Sequence, residues 1–396
     1  MSPEKVRWVD QWLGRPLCAA LTLVRRASDL LSGRPNGPAP ENPPRKILII
    51  KMIEQGATVL ASAAIRRATE LVGRENVYFW VFQKNRAILD IMELIPPENV
   101  LAVRDDGLVR FAVDVFRSLL KIWRLKIDAT VDMEFFARAP AALAFLAAPR
   151  GRRVGLHRFS GEGPYRGDLM THRVQYNPHL HTATAYLGLV EMLIRPPELP
   201  AGKFPIPDTD LTPPPFHPSE AEVAEVRGIL GRLADGELTH PIVLLNPNAS
   251  DMLPLRRWPT ERFIELGRHV LALEPTASLV ITGAPDEADA ARTIAAAISP
   301  NRVISVAGST TLRQLIVLYT LADALVTNDS GPGHFASLTQ LPTLVLFGPE
   351  TTRLFGPIGP HIRTLSAELA CSPCVNALNH RFSPCDNNVC MQDISV

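Results

Sequence analysis

The chain has 396 residues, 46% of them hydrophobic and 20% charged, a length that suits about two domains and a composition that excludes a disordered chain. With 41 Lys and Arg against 40 Asp and Glu, a formal net charge of +1 gives no electrostatic reason to expect nucleic acid as a partner. The polar start Met1–Asp10 does not read as a signal peptide, and no apolar run approaches the length of a membrane span. Five cysteines in so long a chain do not make a secreted disulfide scaffold, so a reducing, cytoplasmic setting is expected.

Residues 1–44 stand apart. Trp8, Trp12, Pro16, Leu17, Ala20, Leu21 and Val24 recur near helical spacing, with Arg7, Arg15, Arg25 and Arg26 beside them. Such a helix either packs on the protein's own surface or lies on an anionic membrane face. The stretch Gly33–Pro44 reads as a linker. A first α/β domain follows over residues 45–200. Lys46–Lys51 (KILIIK) is a short apolar run of the kind found in buried strands, and Glu54–Gly73 reads as a tight loop and one helix. Further strands are expected at Asn76–Phe82, Val100–Val103, Ala129–Glu134 and Arg152–His157, with Leu119, Ile122 and Trp123 forming one apolar helix face. A proline-rich connection over 201–218 leads to a second α/β series over 219–396. Its strands read Pro241–Asn248, Ala277–Gly283, Val303–Gly308, Ala322–Ser330 and Pro342–Pro349. Alternating strands and helices imply mostly parallel sheets covered on both faces, with ligands bound at the carboxyl ends of the strands.

Five constellations sit where chemistry is expected. In TNDSGPGHFAS (Thr327–Ser337) a buried strand delivers Asn328, Asp329 and Ser330; Gly331 and Gly333 are expected to let the backbone turn and a ligand approach, and His334 opens a helix. Free N–H groups at a helix start favour phosphate, although a plain strand-to-helix turn with an Asp or Ser cap has the same composition. In Asn246–Pro259, Asn246, Asn248 and Ser250 cluster at a strand end, and either Arg256 or Arg257 is placed to clamp a diphosphate. The acidic residues of Gly283–Ala291 are either ordinary helix-start residues or partners for a sugar hydroxyl. Lys51–Leu60 is the corresponding turn of the first domain, with Gly56 permitting close approach and Glu54 its one carboxylate. Cys371, Cys374, Cys385 and Cys390 are spaced C-x2-C-x10-C-x4-C, which is compatible with a structural zinc, two disulfides or free thiols.

Some chemistry is excluded. There is no G-x-G-x-x-G after the first strand, no phosphate-binding G-x-x-x-x-G-K-[ST] loop and no G-x-S-x-G elbow. The Asp208–Asp210 pair lies in the proline-rich connection, so no catalytic cation is expected.

Taken together, KILIIKMIEQGATVLASAAIRRA, RRVGLH, LLNPNASDMLPLRRWPTERFIEL, VITGAPDE, VTNDSGPGHFASLTQLPTLVLFGPETTRLFGP and the terminal cysteine pattern resemble glycosyltransferase family 9, the ADP-heptose:lipopolysaccharide heptosyltransferases. The resemblance runs from about Arg45 to the chain end. It implies a GT-B fold, two Rossmann-like domains facing each other across a cleft. It also implies metal-independent, inverting transfer of a heptose from a nucleotide-diphosphate donor to a lipid-linked glycan of the lipopolysaccharide core, with peripheral contact at the inner membrane and no nucleic acid. By that resemblance Asp329, Ser330, Gly331, Gly333 and His334 wrap the donor diphosphate, with Asn248, Ser250 and Arg256 beside them; Arg256 stands where heptosyltransferases have lysine. Gly283 lies near the donor nucleoside, and Lys51, Gln55 and Gly56 face the acceptor. One departure matters: the family places an aspartate, the candidate base, after the first-domain glycine, and here Ala57 follows Gly56. Glu54 is therefore the candidate base, with Asp132 and Glu134 behind it. A nucleotide-sugar epimerase of the same fold and a non-catalytic binding relative are the alternatives.

Overall fold

The computed structural model describes residues 8, 10–32, 43–157, 165–197, 204–234, 238–379 and 382–396. The expected linker therefore lies almost wholly outside the described residues. The chain divides into two compact units, Met1–Leu211 with Asn376–Arg381, and Thr212–Val375 with Phe382–Val396. The division falls inside the expected connection, whose described residues 204–218 carry no helix or strand. The assignment of 376–381 to the first unit was not anticipated.

The first unit is built on β1 (Ile47–Ile50), β2 (Val77–Phe82), β3 (Val100–Val103), β4 (Ala129–Asp132), β5 (Arg152–His157) and β6 (His172–Gln175), all parallel, in the order β3-β2-β1-β4-β5-β6. Every residue of β1 is buried, as expected for a central strand covered on both faces. Leu48, Ile50, Tyr78, Trp80, Leu101 and Val103 point to one face, where they meet apolar residues of the helices Gly14–Ser32, Leu108–Leu125 and Arg138–Ala147. The expected single helix after β1 is two, Gln55–Leu60 and Ser62–Val72, broken at Ala61.

The second unit repeats the plan with β7 (Ile242–Asn246), β8 (Ser278–Ile281), β9 (Val303–Ser305), β10 (Ala324–Asn328), β11 (Thr343–Phe347) and β12 (Ile362–Ser366), in the order β12-β11-β10-β7-β8-β9. Its main core gathers Leu245, Phe263, Leu279 and Ile281 around Trp258, whose ring meets Phe263 edge-on at 4.9 Å. The chain end joins this core: Cys390, Met391 and Ile394 are buried in it, and Trp258 Nε1 donates to the Ile394 carbonyl at 2.9 Å. Gly348 leaves room for this packing, since a Cβ at that position would lie 2.5 Å from Met391 Sδ and displace that side chain. In both sheets the chain reverses direction between the first and fourth strands of the unit, the switch point where open α/β sheets bind ligands.

Candidate active site

At the switch point of the first unit, Lys51 directly follows β1 and Asp132 ends β4. Lys51 was expected on the acceptor side, but its side chain is only 1% exposed and is spent internally. Its Nζ donates to the Ile53 carbonyl at 2.7 Å and to Glu134 Oε2 at 3.2 Å. Glu134 Oε1 accepts from the Met52 and Ile53 amides at 2.7 and 3.0 Å. The Lys51–Glu134 pair thus holds the loop after β1 in place. Asp132 is fully buried, accepts from the Glu134 amide at 3.0 Å and is paired with Arg166. Burial pushes its carboxyl up to about 6, and the nearby Glu134 charge adds to the shift, while Arg166 opposes both.

Glu54 differs from both of these carboxylates. It sits in the loop with φ 70° and ψ 94°, a conformation costly for a residue with a Cβ, and it makes no capping bond to the helix it precedes. Backbone strain of this kind concentrates at functional positions. Its carboxylate is 22% exposed and 3.8 Å from Lys51 Nζ. The unusual backbone falls on Glu54 and not on Gly56, which is buried in the first turn of the helix Gln55–Leu60. Gln55 donates to the Lys84 carbonyl at 2.9 Å, which fixes the start of that helix.

The switch point of the second unit resolves the choice between the two arginines. Arg257 lies on the exposed loop, bonded to the Ala249 carbonyl and to Asp251. Arg256 turns inward, with Nη1 at 3.8 Å from Asp329 Oδ2 and 3.6 Å from Glu350 Oε2. Its Nε is buried without a hydrogen-bond partner. Asn328 fixes the surroundings: its Nδ2 donates to the carbonyls of Pro247 and Asn248, and its Oδ1 accepts from the Trp258 amide at 3.0 Å. One buried side chain thereby ties the loop after β7 to the segment carrying Arg256.

The other expected donor-side residues take more varied places. Asn248 reaches the Thr282 carbonyl at 3.5 Å, and a Cβ on Gly283 would approach Asn248 Nδ2 to 2.9 Å, so the loops after β7 and β8 meet there. Glu287 accepts from the Ala284 amide at 2.7 Å, and burial raises its carboxyl. Ser250 accepts from the Met252 amide on an exposed loop, and Ser330 donates back to the Asn328 carbonyl. Gly331 and Gly333 do not need a left-handed backbone. They serve close packing: an added Cβ would lie 2.9 Å from the Phe335 ring at Gly331 and 3.0 Å from Val345 at Gly333. His334 is buried on the helix Gly331–Ala336 rather than presented at its surface.

Glu350 was missed in the sequence. It directly follows the Pro342–Pro349 run, so the strand-end rule that selected Asp329 also pointed to it.

Of the three readings of the four cysteines, the disulfides are not formed, and among the described residues no three His, Cys, Asp or Glu side chains come together to hold a metal ion. Cys371 and Cys385 are exposed. Cys390 rides on the helix Val389–Gln392, whose Met391 is packed beneath Gly348, so core packing decides where that thiol goes. Burial pushes the Cys390 thiol up. No described helix is long and apolar enough to cross a membrane.

Two doubly wound units with polar groups collected at both switch points define a nucleotide-binding α/β architecture. The pattern of glycosyltransferase family 9 (heptosyltransferase) matches residues 141–381, more than half of the chain, and the protein belongs to that family. It is 28% identical over 128 residues to lipopolysaccharide heptosyltransferase 2 of Salmonella typhimurium, a stretch covering 32% of this chain and 36% of that relative. The match therefore spans about a third of the curated relative's length. Its fold is similar to that of E. coli ADP-heptose lipopolysaccharide heptosyltransferase II, with a TM-score of 0.67 at 19% identity over 88% of this chain and 95% of the other. It is also similar to an E. coli heptosyltransferase solved with ADP, with a TM-score of 0.60 at 16% identity over 81% and 93% of the two chains. The fold is GT-B, as the sequence resemblance implied.

Proposed function

We propose that the protein is an inverting glycosyltransferase that moves a heptose from a nucleotide-diphosphate donor to a glycan acceptor of the lipopolysaccharide core. Family membership supports the reaction class, and the E. coli relative solved with ADP favours an adenosine diphosphate donor. The observation that carries the reading is Arg256, a mostly buried guanidinium whose Nε lacks a partner at the second switch point. In this reading the donor diphosphate takes the bonds Arg256 leaves unmade, and Arg256 stabilises the charge that develops as the leaving group departs. Asp329 is acceptor-only when ionised and would repel a phosphate, so a donor hydroxyl is its better partner. The first unit takes the acceptor. Glu54 withdraws a proton from the acceptor hydroxyl, whose oxygen attacks the anomeric carbon opposite the diphosphate; the carbon–oxygen bond to the diphosphate breaks and the centre inverts. Arg256 supplies the positive charge, so transfer is expected to survive a chelator. The N-terminal helix gives peripheral contact with the membrane that carries the acceptor, on the cytoplasmic side.

The test is incubation with ADP-heptose and a heptose-deficient core oligosaccharide, with product mass and anomeric configuration read out. A heptosylated product of inverted configuration supports the reading, and donor binding without turnover at saturating acceptor overturns it. Ala57, in place of the family's aspartate, favours a second reading, nucleotide-sugar binding without transfer, and that outcome would establish it.

A further inference from the structure

We propose that two helices of the first unit, Gly14–Ser32 and Leu108–Leu125, form one docking face for an anionic lipid bilayer. The inference deepens the peripheral contact proposed for the N-terminal helix by adding a second element and a lipid class. Both helices lie on the same face of the first sheet. Cys18 of the first and Leu119 and Ile122 of the second enter one core cluster with Ala141, Leu143 and Ala144 of the helix Arg138–Ala147. Each helix also bonds that same helix: Cys18 Sγ contacts the Arg138 carbonyl at 3.8 Å, and Trp123 Nε1 donates to the Leu146 carbonyl at 2.9 Å.

What faces outward is apolar on both. On Gly14–Ser32 the inward residues are Gly14, Cys18, Thr22 and Arg25. At about 100° per residue, Leu17, Val24 and Leu31, with Leu13 just before the helix, share one outward flank. They are exposed, Leu31 to 90%. On Leu108–Leu125 the exposed stripe is Val109, Val113, Phe116 and Trp123, with Val109 78% and Phe116 58% exposed. Spacings of three, four and seven put each set on one helix face. Isolated exposed apolar residues are ordinary, whereas continuous stripes on two helices of one layer are not.

The charges name the occupant. Within Leu108–Leu125, Arg110, Arg117, Lys121 and Arg124 stand against the single acid Asp114, which is itself paired with Arg104. They recur at helical spacing along one side of the apolar stripe. Within Gly14–Ser32, Arg25 is buried and paired with Asp29 and Asp168, while Arg15 and Arg26 lie across the helix from the apolar stripe, so the basic edge belongs to the second helix. An apolar stripe edged by long basic side chains, as on Leu108–Leu125, matches an interface with apolar acyl chains beneath anionic headgroups, because the basic stems lie along the apolar surface while their ends reach phosphate.

The experiment is co-sedimentation of the full chain with phosphatidylcholine vesicles and with phosphatidylcholine–phosphatidylglycerol vesicles, at low and high salt. Sedimentation without vesicles reports self-association, and transfer to a soluble acceptor is measured in parallel. The expected result is binding at least ~10-fold stronger to the anionic vesicles and weakened by salt. A triple Val109→Gln, Val113→Gln, Phe116→Gln variant and a separate Arg117→Gln, Arg124→Gln variant should each lose at least ~10-fold in vesicle binding, with unchanged thermal melting and unchanged transfer to the soluble acceptor. Wild-type vesicle binding by the triple variant would remove the second helix from the face. Equal binding to neutral and anionic vesicles, or self-association that these substitutions abolish, would overturn the lipid assignment. Because the soluble-acceptor assay does not need the bilayer, loss of transfer and loss of docking are read separately.

Discussion

The two units carry the same six-stranded order and collect ionisable groups at the same topological point, yet they use charge differently. At the first switch point the buried charges pair, Lys51 with Glu134 and Arg166 with Asp132, each held within the unit by further backbone bonds. In the second unit a single guanidinium stands between two carboxylates at 3.8 and 3.6 Å, beyond hydrogen-bond reach of either. Matched pairs rigidify a loop, and a buried pair is weak evidence for net stabilisation even though breaking it is costly. A buried cation with donor capacity left over is suited to receive a ligand. The first switch point therefore reads as a scaffold that presents one strained carboxylate, Glu54, and the second as a guanidinium with unused donors, the group the proposed donor diphosphate would meet.

The sharpest way to break this contrast is to remove charge from two glutamates of the first unit. Glu54→Gln should lower kcat about 10²- to 10⁴-fold while donor affinity and melting stay near wild type, as expected for a general base. Glu134→Gln should do the reverse, costing about 3 kcal/mol of stability in denaturant unfolding because the Lys51 ammonium loses its main buried partner. If Glu134→Gln instead abolished transfer in a fully stable protein, the division between scaffold and presented carboxylate would be wrong. The next effect is in the second unit. Arg256→Ala should cost about 10²- to 10³-fold in kcat, the range for deleting one group that stabilises developing negative charge. Arg256→Lys should recover part of it, and a weakened donor affinity should accompany the Ala change in calorimetry.

A smaller effect separates placement from chemistry. Asn328→Ala removes the link between the Asn248 loop and the Trp258 amide, leaving buried backbone groups unpaired at about 1–3 kcal/mol of stability. Asn328→Asp should not restore activity, because it keeps the acceptor for Trp258 N–H but sets a carboxylate oxygen against the Pro247 and Asn248 carbonyls. Matched losses of stability and activity in both variants place the role in holding the loops, whereas lost activity with normal stability would assign Asn328 to the ligand.

What the sequence disclosed follows from burial. The central strands are unbroken apolar runs because both faces are covered, so β1, β2 and β11 were legible. Two of the four edge strands, β6 and β12, were not: HRVQ and IRTLS are polar, short and largely exposed, and nothing in their composition separates them from loop. On the site, strand-end position pointed to Asp329 and the family resemblance to Arg256, and the two lie side by side, with Nη1 3.8 Å from Oδ2. The glycines of the Asp329 loop were read as conformational when they are steric, a distinction set by Phe335 and Val345. The pairing of Lys51 with Glu134 joins residues 83 apart and leaves no local pattern. The cysteine spacing suggested a metal because sequence shows separation alone, while Met391 and Ile394 dictate where that segment goes.

The smallest expected effect concerns how dry the first switch point is. Asp132 is fully buried, and burial raises its carboxyl from the usual range to about 6 despite Arg166. In the unfolded chain it titrates near the ordinary aspartate value of about 4. Between those two values the folded state holds a proton that the unfolded state has released, so ∂ΔG/∂pH for this group is negative. Its ionisation therefore opposes folding at neutral pH, and the penalty disappears as the pH falls through 6 towards 4. The melting-temperature difference between wild type and Asp132→Asn, which does not titrate, should move in favour of wild type between pH 7 and pH 5. A carbon-detected titration of the Asp132 carboxyl should show a midpoint near 6. A flat difference, with the carboxyl ionised throughout, would mean that Arg166 outweighs burial. The first switch point would then be as strongly charge-stabilised at Asp132 as at Glu134, and Glu54 would be distinguished from its neighbours by backbone strain and exposure alone.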